Sequence, residues 1–82
     1  SVAYRIDIRS LPSKHVTEAA AAYRSLLEQH DCRIVSEKKD PEKERVTFIF
    51  RTSKHDTHHD LQDLLETQID GSLKGSVNWE ID

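Results

Sequence analysis

The sequence predicts one small α+β domain of the split β-α-β type, with a four-stranded antiparallel sheet and two helices on one face of it. Two observations support this fold class. Three segments alternate apolar and polar residues with the period of two that half-buried strands show, and a fourth, weaker segment is also interpreted as a strand. Two further segments carry apolar residues at the spacing of amphipathic helices. With 82 residues, the chain has the size of a single domain, which we expect to span residues 1–82.

The first third of the chain predicts a strand followed by a helix. Apolar residues alternate with polar or small ones from Val2 to Ile8. Ser13 is the predicted N-cap of a helix that runs from about Lys14 to His30. The apolar positions of this helix follow the amphipathic spacing: Val16, Ala19, Ala20, Tyr23, Leu26 and Leu27.

The rest of the chain predicts a hairpin, a second helix and a last strand. A charged turn around Pro41 separates the weak strand Cys32–Lys38 from the clear strand Arg45–Arg51, which predicts a hairpin. A leucine-rich helix follows, from about His58 to Ile69. The last strand alternates through three apolar residues: Val77, Trp79 and Ile81.

The resulting order, β-α-β-β-α-β, is that of the ferredoxin-like fold. Right-handed crossovers would place both helices on one face of the sheet. The first and third strands have the cleanest alternation, so we expect them to be central. The second and fourth strands would then be edges, where Lys38 and Lys39 would protect against pairing with other chains.

The charge balance disfavours a nucleic-acid partner. Acidic residues outnumber basic ones by 15 to 12, whereas phosphate neutralisation usually requires a basic field. The segment 43–50 invites comparison with an RNA-recognition motif, which stacks bases on aromatics of the open sheet face. Here Phe48 and Phe50 share a face with Val46 and should point toward the helices, so we expect no nucleic acid to bind.

Two compositional features concern the cellular setting. The single cysteine, Cys32, cannot form an internal disulfide, which favours a reducing compartment. No apolar stretch approaches the length of a membrane span. Because the chain begins Ser-Val without a methionine, we expect a domain taken from a longer protein, whose membrane part would lie outside this sequence.

A histidine-rich segment is the most unusual local composition. His55 and His59 are four residues apart, so one helix face could present both to zinc or nickel, with His58 as a further ligand. The competing interpretation is a solvated helix start, where Asp56 and Asp60 complement the helix dipole. We favour solvation and expect no cofactor, and we keep a metal sensor as the alternative.

The sequence offers no arrangement for catalysis. Cys32 and His30 are only two residues apart and lack a third orienting group. No glycine-rich phosphate loop is present. Acyl phosphate hydrolysis, which this fold can support, needs an asparagine beside an arginine, and Asn78 has no arginine-bearing loop near it. We therefore predict that the chain is not an enzyme and has no catalytic residues.

The last strand is the predicted interaction site. Trp79, in register with Val77, is interpreted first as a core residue. The functional alternative is an edge strand that pairs with a protein partner or with another copy of the chain.

The β-α-β-β-α-β order is similar to that of ACT domains, small regulatory modules that often bind amino acids. Their ligand loop typically carries glycine, whereas the corresponding stretch here, Ser10–His15, has none. The chain more closely resembles the C-terminal cytosolic ACT-like domain of the MgtC/SapB family. The similarity lies in the leucine-rich segment 61–65, the glycines before the last strand, and the ending Val77-Asn78-Trp79-Glu80.

The resemblance implies a regulatory or protein-interaction domain on the cytoplasmic side of a bacterial inner membrane. That family is associated with adaptation to low magnesium and with virulence, through survival inside macrophages. It implies no catalytic residue and no response to amino acids. The alternative remains a sensor, which would bind an amino acid at the ACT-like loop or zinc or nickel at His55, His58 and His59.

Overall fold

The computed structural model describes residues 2–53 and 57–82, and its elements follow the predicted order. Two short 3-10 helices, Ser13–His15 and Gly71–Leu73, precede α1 and β4. The strands and α-helices have these bounds: β1 Val2–Arg9, α1 Val16–Gln29, β2 Arg33–Asp40, β3 Arg45–Thr52, α2 Thr57–Thr67 and β4 Ser76–Ile81.

The four strands form one antiparallel sheet in the order β2-β3-β1-β4. Ile6 lies opposite both Phe48 of β3 and Trp79 of β4, so β1 and β3 are the central strands. This confirms the predicted ferredoxin-like architecture and the predicted edges. Strong alternation predicts central strands because a strand with neighbours on both sides buries one complete face.

A single core lies between the sheet and the helices. The apolar stripe of α1 is buried as predicted, and the side chains of Ile6, Phe48 and Phe50 meet it with no exposed area. Leu61 and Leu65 of α2 complete this core together with Ile69, which lies beyond the helix because α2 ends at Thr67 rather than at Ile69 as predicted. Each of these large side chains stabilises the fold by about 1.5–3 kcal/mol through burial.

The first helix begins differently from the prediction. Ser13 was expected to cap it, but Ser13 instead opens a 3-10 turn in which the His15 N–H donates to the Pro12 carbonyl at 2.9 Å. The α-helix starts at Val16, and no side chain caps either segment. The turn satisfies backbone donors that a serine cap would otherwise have satisfied, because 3-10 bonds often tighten the end of a helix.

The second strand is two residues longer at its end than predicted and contains a bulge. Its register against β3 shifts between Ile34 and Ser36, which leaves Val35 outside the regular pairing. The bulge interrupts the period of two, so the alternation in the sequence understates the strand. Glu37 of this strand accepts hydrogen bonds from Arg24 of α1 at 2.8 and 2.9 Å, which ties the helix to the sheet.

A buried tyrosine links α1 to the start of β4. Tyr23 has no exposed area, and its hydroxyl oxygen accepts a hydrogen bond from the Gly75 N–H at 3.0 Å. Burial raises the pKa of Tyr23 above its ordinary value of 10.0 because the apolar surroundings disfavour the phenolate. The hydroxyl therefore acts as a neutral partner for the backbone that enters β4.

We expect Tyr23→Phe to lower the free energy of unfolding by about 1–3 kcal/mol at neutral pH, because the Gly75 N–H loses its partner. Urea unfolding followed by circular dichroism measures this difference. The pKa of Tyr23 is higher in the folded state than its ordinary value of 10.0. The contribution of this residue to the free energy of unfolding is therefore fully present below pH 10 and is lost as the pH rises through the folded-state pKa. The difference in the free energy of unfolding between wild type and variant should therefore narrow above pH 10. A difference that stayed constant with pH would contradict the role of Tyr23 as a buried neutral partner of Gly75.

No helix among the residues that the structure describes is both long and apolar enough to cross a bilayer.

Candidate functional site

The sheet has one face that no helix covers, which we call the open face. Along β3, Val46, Phe48 and Phe50 are fully buried toward the helices, whereas the residues between them are partly exposed on the other side. This confirms the predicted direction of the two phenylalanines. The described part of the open face carries no aromatic side chain, as the cross-strand register shows, so it lacks the stacking platform of an RNA-recognition motif.

A carboxylate lies at the centre of the open face. Asp7 is only 6% exposed and lies opposite Thr47, whose hydroxyl donates to its carboxylate at 2.6 Å. The other carboxylate oxygen is 3.6 Å from Nε of Arg5. These contacts compensate the burial of a charge in a strand with neighbours on both sides.

The two edges of the sheet differ in how well they resist pairing with another strand. The β2 edge is bulged at Val35 and carries the exposed Lys38 and Lys39. The β4 edge pairs with β1 in one continuous register and contains no lysine or arginine. Bulges and lysines are the usual protection of an edge, so β4 is the less protected one.

An apolar patch accompanies the β4 edge. The rings of Tyr4, Phe50 and Trp79 are mutually 5.7–6.0 Å apart between centroids. Val77 and Trp79 pack against the core and are partly buried, which supports the core interpretation of Trp79. Ile81 is 78% exposed, and a depression of about 190 Å³ lies between Tyr4, Trp79, Glu80 and Ile81.

The histidine candidates for a metal site cannot be placed. His55 lies outside the described residues, and so do the side chains of His58 and His59. The described residues contain no group of three or more histidine, cysteine, aspartate or glutamate side chains that could hold a metal ion. His15 and His30 lie at opposite ends of α1.

The loop that corresponds to the ACT ligand loop is packed into the protein. Leu11 has no exposed area, and its N–H donates to the Glu44 carbonyl at 2.9 Å. Gly75 approaches the same loop closely, because a Cβ atom placed on it would lie 2.9 Å from a Leu11 methyl carbon. The side chain of Leu11 therefore occupies the space between this loop and the start of β4.

Cys32 and Asn78 lie in different surroundings, one in the core and one on the open face. Cys32 is 4% exposed in the core, and its thiol donates to the His30 backbone carbonyl at 3.7 Å. A buried cysteine of this kind behaves as a small apolar residue. Asn78 lies on the open face opposite Asp7, on a strand rather than beside a loop.

Comparison with known proteins finds no relative for this chain. No protein-family model matches it, and neither the curated proteins nor the solved structures provide a match.

Proposed function

We propose that this chain is a non-catalytic regulatory domain that acts by pairing its β4 edge with a strand of another protein chain, in the first instance a second copy of itself. The observation that carries the proposal is the contrast between the two edges. The β2 edge is bulged and carries lysines, whereas β4 is regular and lacks basic residues. An unprotected edge offers a ready template for strand addition.

The backbone of β4 has the hydrogen-bonding groups that such pairing requires. The Asp82 N–H donates to the Ala3 carbonyl of β1 at 2.9 Å. The even-numbered residues of β4 therefore direct their backbone N–H and C=O groups toward β1. Successive residues of an antiparallel strand alternate in this direction. The N–H and C=O groups of Val77, Trp79 and Ile81 therefore point away from the sheet, toward an added strand.

The same three residues carry the apolar side chains of β4. In antiparallel pairing around a two-fold axis, the exposed Ile81 of one copy would cover apolar side chains of the other. Burying a side chain of this size stabilises an assembly by about 1.5–3 kcal/mol. Pairing would thus combine main-chain hydrogen bonds with the closure of the Tyr4–Trp79 depression.

The resemblance to the MgtC/SapB cytosolic domain supports the same location. Its most specific part ends in Val77-Asn78-Trp79-Glu80, which lies within β4. On this resemblance we propose a parent protein in a bacterial inner membrane, with this domain on the cytoplasmic side and a role in adaptation to low magnesium.

Sedimentation velocity over a concentration series tests the proposed pairing. We expect a reversible dimer, and we expect Ile81→Glu to raise its dissociation constant about tenfold or more, because the variant places a charge in the interface. Val35→Glu is the matched control, since Val35 is the exposed apolar residue of the other edge. Equal weakening by both variants would contradict the choice of β4, and a strictly monomeric wild type would reject the second copy as the partner.

A further inference from the structure

Charge is segregated between the two sides of the sheet. Five of the six arginines lie on the open face, together with Lys38, and Arg24 is the exception. The open face has six basic and three acidic side chains, a formal charge of +3, in a chain whose net charge is −3. The basic residues are Arg5, Arg9, Arg33, Lys38, Arg45 and Arg51, and the acidic ones are Asp7, Asp40 and Glu80.

Three cations at one end of the β2–β3 pair are not neutralised by the protein; Lys38 and Arg45 lie on the open face, and Lys39 lies opposite Val46 on the edge strand. The side chains of Lys38, Lys39 and Arg45 form no ion pair or hydrogen bond with any residue that the structure describes. Asp40 lies opposite Arg45 in the β2–β3 register, yet its carboxylate accepts instead from the Lys43 N–H at 3.3 Å. These cations therefore repel one another, and an anionic ligand bound between them would reduce that repulsion.

These cations surround a depression of about 340 Å³ that spans the three strands β1, β3 and β2. Arg5, Lys38 and Arg45 contribute positive charge from three different strands, and Lys39 stands at the rim. Asp40 also lines the depression, and Arg5 is 3.6 Å from the Asp7 carboxylate. Ile49 and Ser36 provide an aliphatic and a hydroxyl surface between them. The volume is at the lower end of the range for small-molecule sites.

We propose that this depression binds a compact ligand with two or more phosphate groups, such as a nucleoside polyphosphate or an inorganic polyphosphate. A phosphate monoester carries about −1.5 to −2 charges at neutral pH. Two such groups therefore balance the lining of the depression, in which Arg5, Lys38, Lys39 and Arg45 are basic and Asp40 is acidic. A carboxylate carries one charge, and an acidic peptide would have to place three side chains in the same space. The guanidinium forks of Arg5 and Arg45 match the oxygen geometry of phosphate.

Two other occupants fit the face less well. A single-stranded nucleic acid would find no aromatic side chain for stacking on the described open face. A second copy packed face to face would oppose two surfaces of charge +3, which disfavours association. The proposal is independent of the β4 edge, because Arg5, Lys38 and Arg45 lie on the other three strands.

Titration calorimetry with inorganic tripolyphosphate and with ATP, at low and at physiological salt, tests this site. We expect saturable binding that weakens with salt, and we expect Arg45→Gln and Lys38→Gln each to weaken it about tenfold or more. Lys14→Gln removes the same charge from the 3-10 turn before α1, so it is the matched control and should change the affinity little.

Three outcomes would overturn the proposal. These are absence of binding by tripolyphosphate and ATP, equal losses in Arg45→Gln and Lys14→Gln, and tighter binding of a poly-glutamate peptide than of tripolyphosphate. Vesicles containing a phosphoinositide provide the lipid arm of the experiment. Binding to these vesicles without binding of tripolyphosphate would reject a soluble ligand. Circular dichroism of each variant shows whether a lost affinity reflects a lost fold.

Discussion

Phe48→Ala is expected to lower the free energy of unfolding by about 3–5 kcal/mol, because it removes a ring with no exposed area from the centre of the core. Phe48 lies on central strand β3 opposite Ile6, so the helices and both neighbouring strands would have to move to close the cavity. A domain of 82 residues has a total stability of roughly 4–12 kcal/mol. The variant should therefore lose between about a quarter and all of this stability and should unfold at a much lower urea concentration than wild type.

Urea unfolding, followed by far-ultraviolet circular dichroism and by the fluorescence of Trp79, measures this loss. Ile49→Ala is the control, because Ile49 follows Phe48 in the chain and lies partly exposed on the open face. Its side chain contacts solvent on one side, so its loss should cost clearly less. If the two variants were equally destabilised, the assignment of faces along β3 would be wrong.

Gly75→Ala is expected to destabilise the fold by roughly 1–3 kcal/mol or more through overpacking. A Cβ atom at this position would collide with the backbone carbonyl oxygen of Arg9 and lie 2.9 Å from side-chain carbons of Ile8 and Leu11. The Arg9 oxygen belongs to β1 and cannot swing aside as a side chain would. Relief would have to displace the start of β4, including the hydrogen bond from Gly75 to Tyr23.

Gly71→Ala is the matched control for this prediction. A Cβ atom on Gly71 meets nothing within 4 Å, and the backbone there has no positive φ angle. Alanine at such a position restricts mainly the unfolded chain, so the variant should be neutral or slightly more stable than wild type. Thermal unfolding by calorimetry compares the two, and a Gly75→Ala variant as stable as Gly71→Ala would contradict the close packing of Gly75 against β1.

The two proposed surfaces are compatible in one assembly. Two copies paired through β4 around a two-fold axis perpendicular to the sheet would form a continuous eight-stranded sheet. Both open faces would then lie on the same side, and neither depression would be covered, because Lys38 and Arg45 are on β2 and β3. Such a dimer would present two phosphate-binding depressions in one plane.

The sequence was least informative where side-chain pattern and backbone pairing disagree. In β2, charged residues and the bulge at Val35 conceal the alternation, and the predicted strand was therefore too short. At the start of α1, Ser13 has a favourable type for a cap, but the turn from Pro12 to His15 satisfies the backbone in another way. Both features depend on pairing geometry that residue type does not specify.

The sequence by itself determined the order of the elements, the central position of β1 and β3, and the burial of Phe48 and Phe50. These properties follow from periodicities of two and of 3.6, which are local and can be read along one segment. Only the tertiary structure decided that Arg5, Lys38 and Arg45 surround one depression and that Gly75 lies against β1. These residues are distant in the chain, and their proximity is set by strand order and register, which bring together charges that the overall acidic composition conceals.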